Sequence, residues 1–197
     1  TFSLMAAQDS IRKRMHTEGA VASILSLISA PNALVKVECC RALTNLMCEE
    51  TSDNIYEQRA VKDGLPYNLM RVVPECPAAL DLSLQCLLNL TSVEDRYTRI
   101  EEVTDAILNL ENKMNLTMDQ QIVVAQSITN LSALKGFQQK LLEDGCMTVV
   151  EKAMKFGEGA HRVLAATIVR NLTTCYRTRP KLLDHNIVSL LMSMSRD

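Results

Sequence analysis

A chain of 197 residues with 47% hydrophobic and 22% charged residues is globular, which excludes a disordered polypeptide. The net charge of −2 argues against nucleic acid or an anionic membrane surface as the main partner, since both reward a basic surface. With only 4% aromatics, no Trp, 6 Gly and 5 Pro, little material is left for the turns of an all-β fold, and an all-α chain is expected.

Taken in chain order, the segments repeat. An apolar stretch with Leu4 and Met5 leads through the basic Arg12-Lys13-Arg14 to Gly19. An apolar helix follows from Ala20 to Ile28, then Pro31, then a helix of roughly 14 residues ending in Asn45-Leu46. The next unit has a charged helix from Asn54 to Lys62, Gly64, an apolar helix from Leu65 to Val73, Pro74 and Pro77, and a long helix ending in Asn89-Leu90. The third has Arg96 to Glu102, Val103 in place of the glycine, Thr104 to Leu110, and a helix ending in Asn130-Leu131. The fourth has Phe137 to Glu143, Gly145, Cys146 to Met154, a turn at Gly157-Glu158-Gly159, and a helix ending in Asn171-Leu172. Arg179 to Asp184 and then Asn186 open a fifth.

Two markers keep one phase. The four asparagines are 44, 41 and 41 residues apart, and Gly19, Gly64, Val103 and Gly145 precede them by 26, 25, 27 and 26. Two residues before each Asn stand Leu43, Leu87, Ile128 and Val169, and one after each stands a Leu. These positions fall on one helical face and are the expected core. Small or compact residues six before (Cys39, Ser83, Val124, Ala165) imply close approach of a neighbouring helix. Each unit therefore carries three helices.

This pattern resembles the armadillo repeat, whose units read short helix, Gly, apolar helix, then a long helix ending in Leu-x-Asn-Leu. Glu18-Gly19-Ala20-Val21, Arg41-Ala42-Leu43-Thr44-Asn45-Leu46 and Ser127-Ile128-Thr129-Asn130-Leu131-Ser132 match it closely. The resemblance covers nearly the whole chain and implies a right-handed α-solenoid, a superhelix of three-helix repeats. Residues 1–18 are then the tail of a preceding repeat, 19–48, 49–92, 93–133 and 134–175 are successive units, and 176–197 open a truncated one. The chain begins at Thr1 and has apolar ends, so it reads as part of a longer polypeptide. A two-helix HEAT-type array is the competing reading; the separate charged helix and the glycine favour armadillo.

In such a stack the long third helices line a concave surface, and a residue recurring on them becomes a ladder. An Asn offers an acceptor and two donors, enough to pair with both groups of an extended peptide backbone. By resemblance, Asn45, Asn89, Asn130 and Asn171 are the candidates for that role. An Asn near a helix end also bonds neighbouring backbone, and the two roles are compatible. The importin-α branch places a Trp four residues before each ladder Asn, making slots for Lys and Arg stems. Here those positions hold Arg41, Gln85, Gln126 and Thr167. Basic import cargo is therefore not expected, and a groove lined by Arg41, Gln85 and Gln126 suits polar or mildly acidic peptides, in the manner of β-catenin, with Glu38 and Asp81 diluting the preference.

The expected function is a non-enzymatic scaffold holding an extended segment of a protein partner. The alternatives are a structural segment of a larger array docking on its own polypeptide, and a small-GTPase regulatory factor. No nucleophile–base pair can be assembled, and no cofactor is implied. The three histidines lack metal-ligand spacing, so no metal site is expected. Four Asn-Leu-Ser/Thr sequons lie mostly on the repeat signature itself and are set aside as glycosylation sites. The basic residues Arg177, Arg179 and Lys181 read as solvation of a short helix, and the methionines as adaptable packing. The seven cysteines are odd in number, lack CxxC spacing and sit mostly in apolar stretches. That fits a reducing, cytoplasmic setting, with a nuclear one compatible. No apolar run approaches the roughly 20 residues that span a bilayer, so membrane insertion is not expected.

Overall fold

In the computed structural model the described residues are 2–6, 8–48, 55–93 and 98–194. Among them the regular structure is helical throughout. In chain order the helices are α1 (Phe2–Ala6), α2 (Asp9–Thr17), α3 (Ala20–Leu27), α4 (Ala33–Leu46), α5 (Ile55–Lys62) and α6 (Leu65–Glu75). A 3-10 turn at Pro77–Ala79 leads into α7 (Leu80–Thr91), followed by α8 (Ile100–Lys113), α9 (Met118–Ala133), α10 (Gln138–Glu143), α11 (Met147–Phe156), α12 (Ala160–Thr173), α13 (Arg179–Asp184) and α14 (Ile187–Met194). The described residues form two compact units, the first reaching Ile107 and the second starting at Leu108.

Local chemistry sets the helix starts. Asn32 caps α4, its Oδ1 accepting from the amides of Leu34 at 2.9 Å and Val35 at 3.2 Å. Thr117 and Gln120 form a reciprocal capping box at α9. Pro66 sits in the first turn of α6, where its missing N–H costs nothing. Pro74 falls in the last turn of the same helix and Pro77 opens the 3-10 turn, so the two prolines punctuate the passage into α7.

Packing in each unit runs third helix on third helix. In the first unit α4 packs on both α1 and α7, and in the second α9 packs on α12. The residues read as core are buried: Leu46, Leu90, Leu131 and Leu172 have at most 1% exposure, and Leu43, Leu87 and Ile128 none. Cys39, Ser83, Val124 and Ala165 are buried too, consistent with the close helix approach their position implied.

The third repeat departs from the expected pattern. Val103 is not a helix break; it is fully buried inside α8, which runs unbroken through Thr104 to Lys113. The left-handed backbone that glycine supplies at Gly19 (φ 77°), Gly64 (φ 87°) and Gly145 (φ 94°) is adopted instead by Arg99 (φ 68°), immediately before α8. Counting back a fixed interval from Asn130 lands one turn inside the helix, because α8 has 14 residues where α3, α6 and α11 have 8, 11 and 10. The charged helix expected over 96–102 is not seen in its described part: Thr98 and Arg99 form a turn, and the rest belongs to α8. Residues 96 and 97 lie outside the described residues. Asn186 (φ 54°) takes the left-handed position before α14.

An L-residue pays about 1–2 kcal/mol for this conformation. A Cβ built on Gly145 meets nothing within 4 Å, so only the backbone resists substitution there. Gly145→Ala is expected to cost about 1–2 kcal/mol in urea unfolding. Arg99→Gly, which relieves strain but loses the bonds to Glu102 (2.5 Å) and Lys62 O (3.4 Å), should stay within about 1 kcal/mol of the parent. A Gly145→Ala variant as stable as the parent would contradict the role given to this turn.

Candidate functional site

The four signature asparagines sit in the last turn of α4, α7, α9 and α12, each half-buried and each preceding a buried leucine. One turn earlier, Arg41, Gln85 and Gln126 are exposed and Thr167 is half-exposed. In the first unit the pairing of α4 with α7 sets Arg41 and Asn45 on the helix beside Gln85 and Asn89. In the second, α9 with α12 does the same for Gln126 and Asn130 beside Thr167 and Asn171.

The amides also stitch neighbouring helices. Asn89 Nδ2 donates to Thr44 O on α4 at 3.2 Å, and its Oδ1 accepts from Gln85 Nε2 at 3.0 Å. Asn171 Nδ2 donates to Ser132 Oγ beside the end of α9 at 3.0 Å, and Arg170 Nη2 lies 3.5 Å from its Oδ1. Asn45 and Asn130 are engaged as well. An amide has two N–H donors and an oxygen with two lone pairs. Asn89 and Asn171 therefore each retain one donor and one acceptor site after holding their neighbours. Arg41 is held by Glu38 on its own helix at 3.1 Å, which tempers its charge.

At the ends of α4, α9 and α12, carbonyls are satisfied by buried donors from following or preceding short segments. His16 Nε2 meets Leu46 O at 2.8 Å while its ring stacks on Tyr56 with centroids 4.1 Å apart. Arg12 Nη1 reaches Asn45 O at 3.1 Å and Cys48 Sγ at 2.5 Å. Gln138 Nε2 donates to Ser132 O and Leu134 O, and Thr178 Oγ1 to Leu172 O. These donors hold the asparagine-bearing turns in place. Nothing in their local sequence marks them, since each partner lies on another element.

Among the described residues no group of three His, Cys, Asp or Glu is placed to hold a metal ion, and no helix is long and apolar enough to cross a membrane. Burial pushes the Cys40 thiol up to about 11 and the Cys146 thiol to about 12, and Cys86 further still. These thiols are packing groups rather than nucleophiles.

No family model and no curated sequence matches this chain. Solved structures do. An engineered protein from a structural-genomics programme aligns with a TM-score of 0.78 at 16% identity, covering 98% of this chain and 79% of the other. A designed armadillo repeat protein in complex with a (KR)4 peptide aligns at 0.72 and 14% identity, covering 87% and 72%. The chain has the armadillo-repeat fold. A second engineered protein aligns at 0.69 and 15% identity, covering 88% and 72%. At these identities the likeness fixes the armadillo fold, an all-α repeat solenoid.

His161, in the first turn of α12, is buried with Nδ1 unpartnered and packed against Gly157. Desolvation holds its pKa below the ordinary 6.5, against an opposing pull from Glu111. Glu111 is itself buried, one oxygen paired with Lys152 at 2.6 Å and the other unpartnered. A base with a lowered folded pKa is neutral in the fold while the unfolded chain protonates. Stability should therefore fall as pH drops below about 7 and level off once His161 protonates in the folded state. Glu75 and Glu143, held low by Lys36 and Lys181, lose their contributions only in more acidic solution. Thermal melting across about pH 7.5 to 5.5 should show a shallower decline for His161→Leu than for the parent. Identical slopes would remove His161 as the cause.

Proposed function

We propose that this chain is a non-enzymatic scaffold that holds an extended segment of a protein partner on the asparagine-bearing face of its third helices. The observation that carries the reading is the half-used amide. Asn89 and Asn171 spend one donor on the neighbouring helix and keep a donor and an acceptor, the pair that an extended backbone presents. The exposed Arg41, Gln85 and Gln126 form the polar surround, offering hydrogen bonds without aromatic slots for basic stems. The designed armadillo protein in complex with a (KR)4 peptide supports the use of this fold for binding peptides. Free, mostly buried cysteines support a reducing, cytoplasmic setting.

The test uses fluorescein-labelled eight-residue peptides of acidic, neutral and basic composition, titrated with the full chain and read by anisotropy. At least one is expected to bind, and Asn89→Ala with Asn130→Ala should weaken it by about tenfold to a hundredfold, the loss of two to four backbone hydrogen bonds. Asn89→Ala also removes the bond to Thr44 O, so a fall of a few degrees in melting temperature accompanies it. Unchanged affinity in a folded double variant would overturn the reading.

A further inference from the structure

From Gly159 to Leu183 the chain carries Arg162, Arg170, Arg177, Arg179 and Lys181 and not one carboxylate, although the whole is slightly acidic at −2. Two of these are spoken for. Lys181 pairs with Glu143 at 2.9 Å, and Arg162 donates to Gly157 O at 2.7 Å. Arg170, Arg177 and Arg179 are exposed, and among the described residues none meets a carboxylate.

Their bonds hold them at the C-terminal end of α12. Arg179 Nε donates to Thr173 O at 3.0 Å, the last residue of that helix. Thr173 Oγ1 in turn donates to Arg170 O, one turn back. Arg170 lies directly before Asn171 and reaches its Oδ1. Arg177 Nε donates to Tyr176 Oη at 2.9 Å, with its guanidinium 5.5 Å from the ring centroid, and Tyr176 is 68% exposed. In Arg177 and Arg179 the Nε is thus occupied by a neighbour, while among the described residues both terminal nitrogens stay available. That is the edge a guanidinium offers to a carboxylate in a two-pronged bond. Fixing the stem beforehand lowers the entropy lost on binding. Cations here also complement the helix dipole, but that attraction does not neutralise three full charges.

We propose that Arg170, Arg177 and Arg179 form an acidic-residue subsite beside Asn171, taking Asp or Glu side chains of the bound segment. The inference rests on the peptide-binding reading above and adds to it the chemistry of one end of the ligand. A nucleic acid fits less well, because three charges on an otherwise acidic chain supply little counterion release.

The probes are the labelled peptides (Glu-Ser)4, (Gln-Ser)4 and (Lys-Ser)4, with a labelled oligothymidylate, each titrated with the full chain at low and moderate salt. The acidic peptide should bind about tenfold tighter than the neutral one, in line with three exposed ion pairs, and salt should erode that margin. Arg170→Gln, Arg177→Gln and Arg179→Gln together should abolish the margin and leave the neutral peptide's affinity unchanged. Arg177→Gln alone, which touches only Tyr176, should remove part of it in a chain whose fold is not at issue. Equal affinity for acidic and neutral peptides, a margin that survives the triple change, or tighter binding of the oligothymidylate would each overturn the subsite. If neutral-peptide binding depends on Asn89 and Asn130 while the acidic margin is absent, the subsite alone fails. An acidic margin that needs the arginines but not those asparagines instead removes the ladder on which the subsite was placed.

Discussion

The contact between successive third helices within each unit governs the rest. A single three-helix repeat exposes one apolar side of its long helix and cannot bury it alone. Leu46 and Leu90 in the first unit, and Leu131 and Leu172 in the second, close that side to at most 1% exposure. Such close packing brings polar backbone together, and small hydroxyls and amides absorb it. Thr44 Oγ1 lies 2.9 Å from Leu82 O across the α4–α7 pair, and Asn89 returns a bond to Thr44 O. The asparagine is therefore at the border between core and surface because its neighbour in sequence must be in the core. One end of the amide is committed to the stack, and only the remainder can serve a partner.

Most of the core and the glycine turns before the apolar helices are legible in the sequence, because each is signalled by the residue that performs it. A leucine beside an asparagine at fixed phase names its own burial, and Gly19, Gly64 and Gly145 name the break that only a residue without Cβ makes cheaply. Arg99 does not. It adopts the same backbone at a cost, offset by its bonds to Lys62 O and Glu102, and nothing about an arginine announces that. The donors that cap the third helices are hidden for a related reason. His16, Gln138 and Thr178 act on carbonyls 30, 4 to 6 and 6 residues away, so their role exists only after folding. The stitching bonds of Asn89 and Asn171 belong to the same class.

The charges are managed differently in the two units. In the first, the buried Lys36 is held by Glu75 at 2.5 Å and Arg41 by Glu38, so cations near the third helix are matched locally. In the second, Lys152 is matched by Glu111 and Lys181 by Glu143, while the guanidiniums after Val169 are not. Exposed pairs contribute little to stability, typically below about 1 kcal/mol. An unmatched exposed cation therefore costs the fold almost nothing. It keeps its full attraction for an incoming anion, which is where such a charge has its largest effect.

An amide that pairs with a peptide backbone reads an extended chain but not its side chains, so a ladder of them gives affinity without register. Register must come from the positions around the ladder, and one turn before each asparagine these are unlike one another: Arg41, Gln85, Gln126 and Thr167. Arg41 is tied to Glu38, and Gln85 is spent on Asn89, so two of the four are partly withdrawn from a ligand. With no Trp in the chain, stacking slots for long aliphatic stems are absent as well. On the proposed reading the remaining source of discrimination is charge at one end. A segment with acidic residues over the end of α12 would gain ion pairs in only one alignment and one direction. Sliding by one repeat, or reversing, keeps the backbone bonds and forfeits the charged ones. On the proposed reading, selectivity in this chain is a matter of where the partner's carboxylates fall rather than of how deeply its side chains are held.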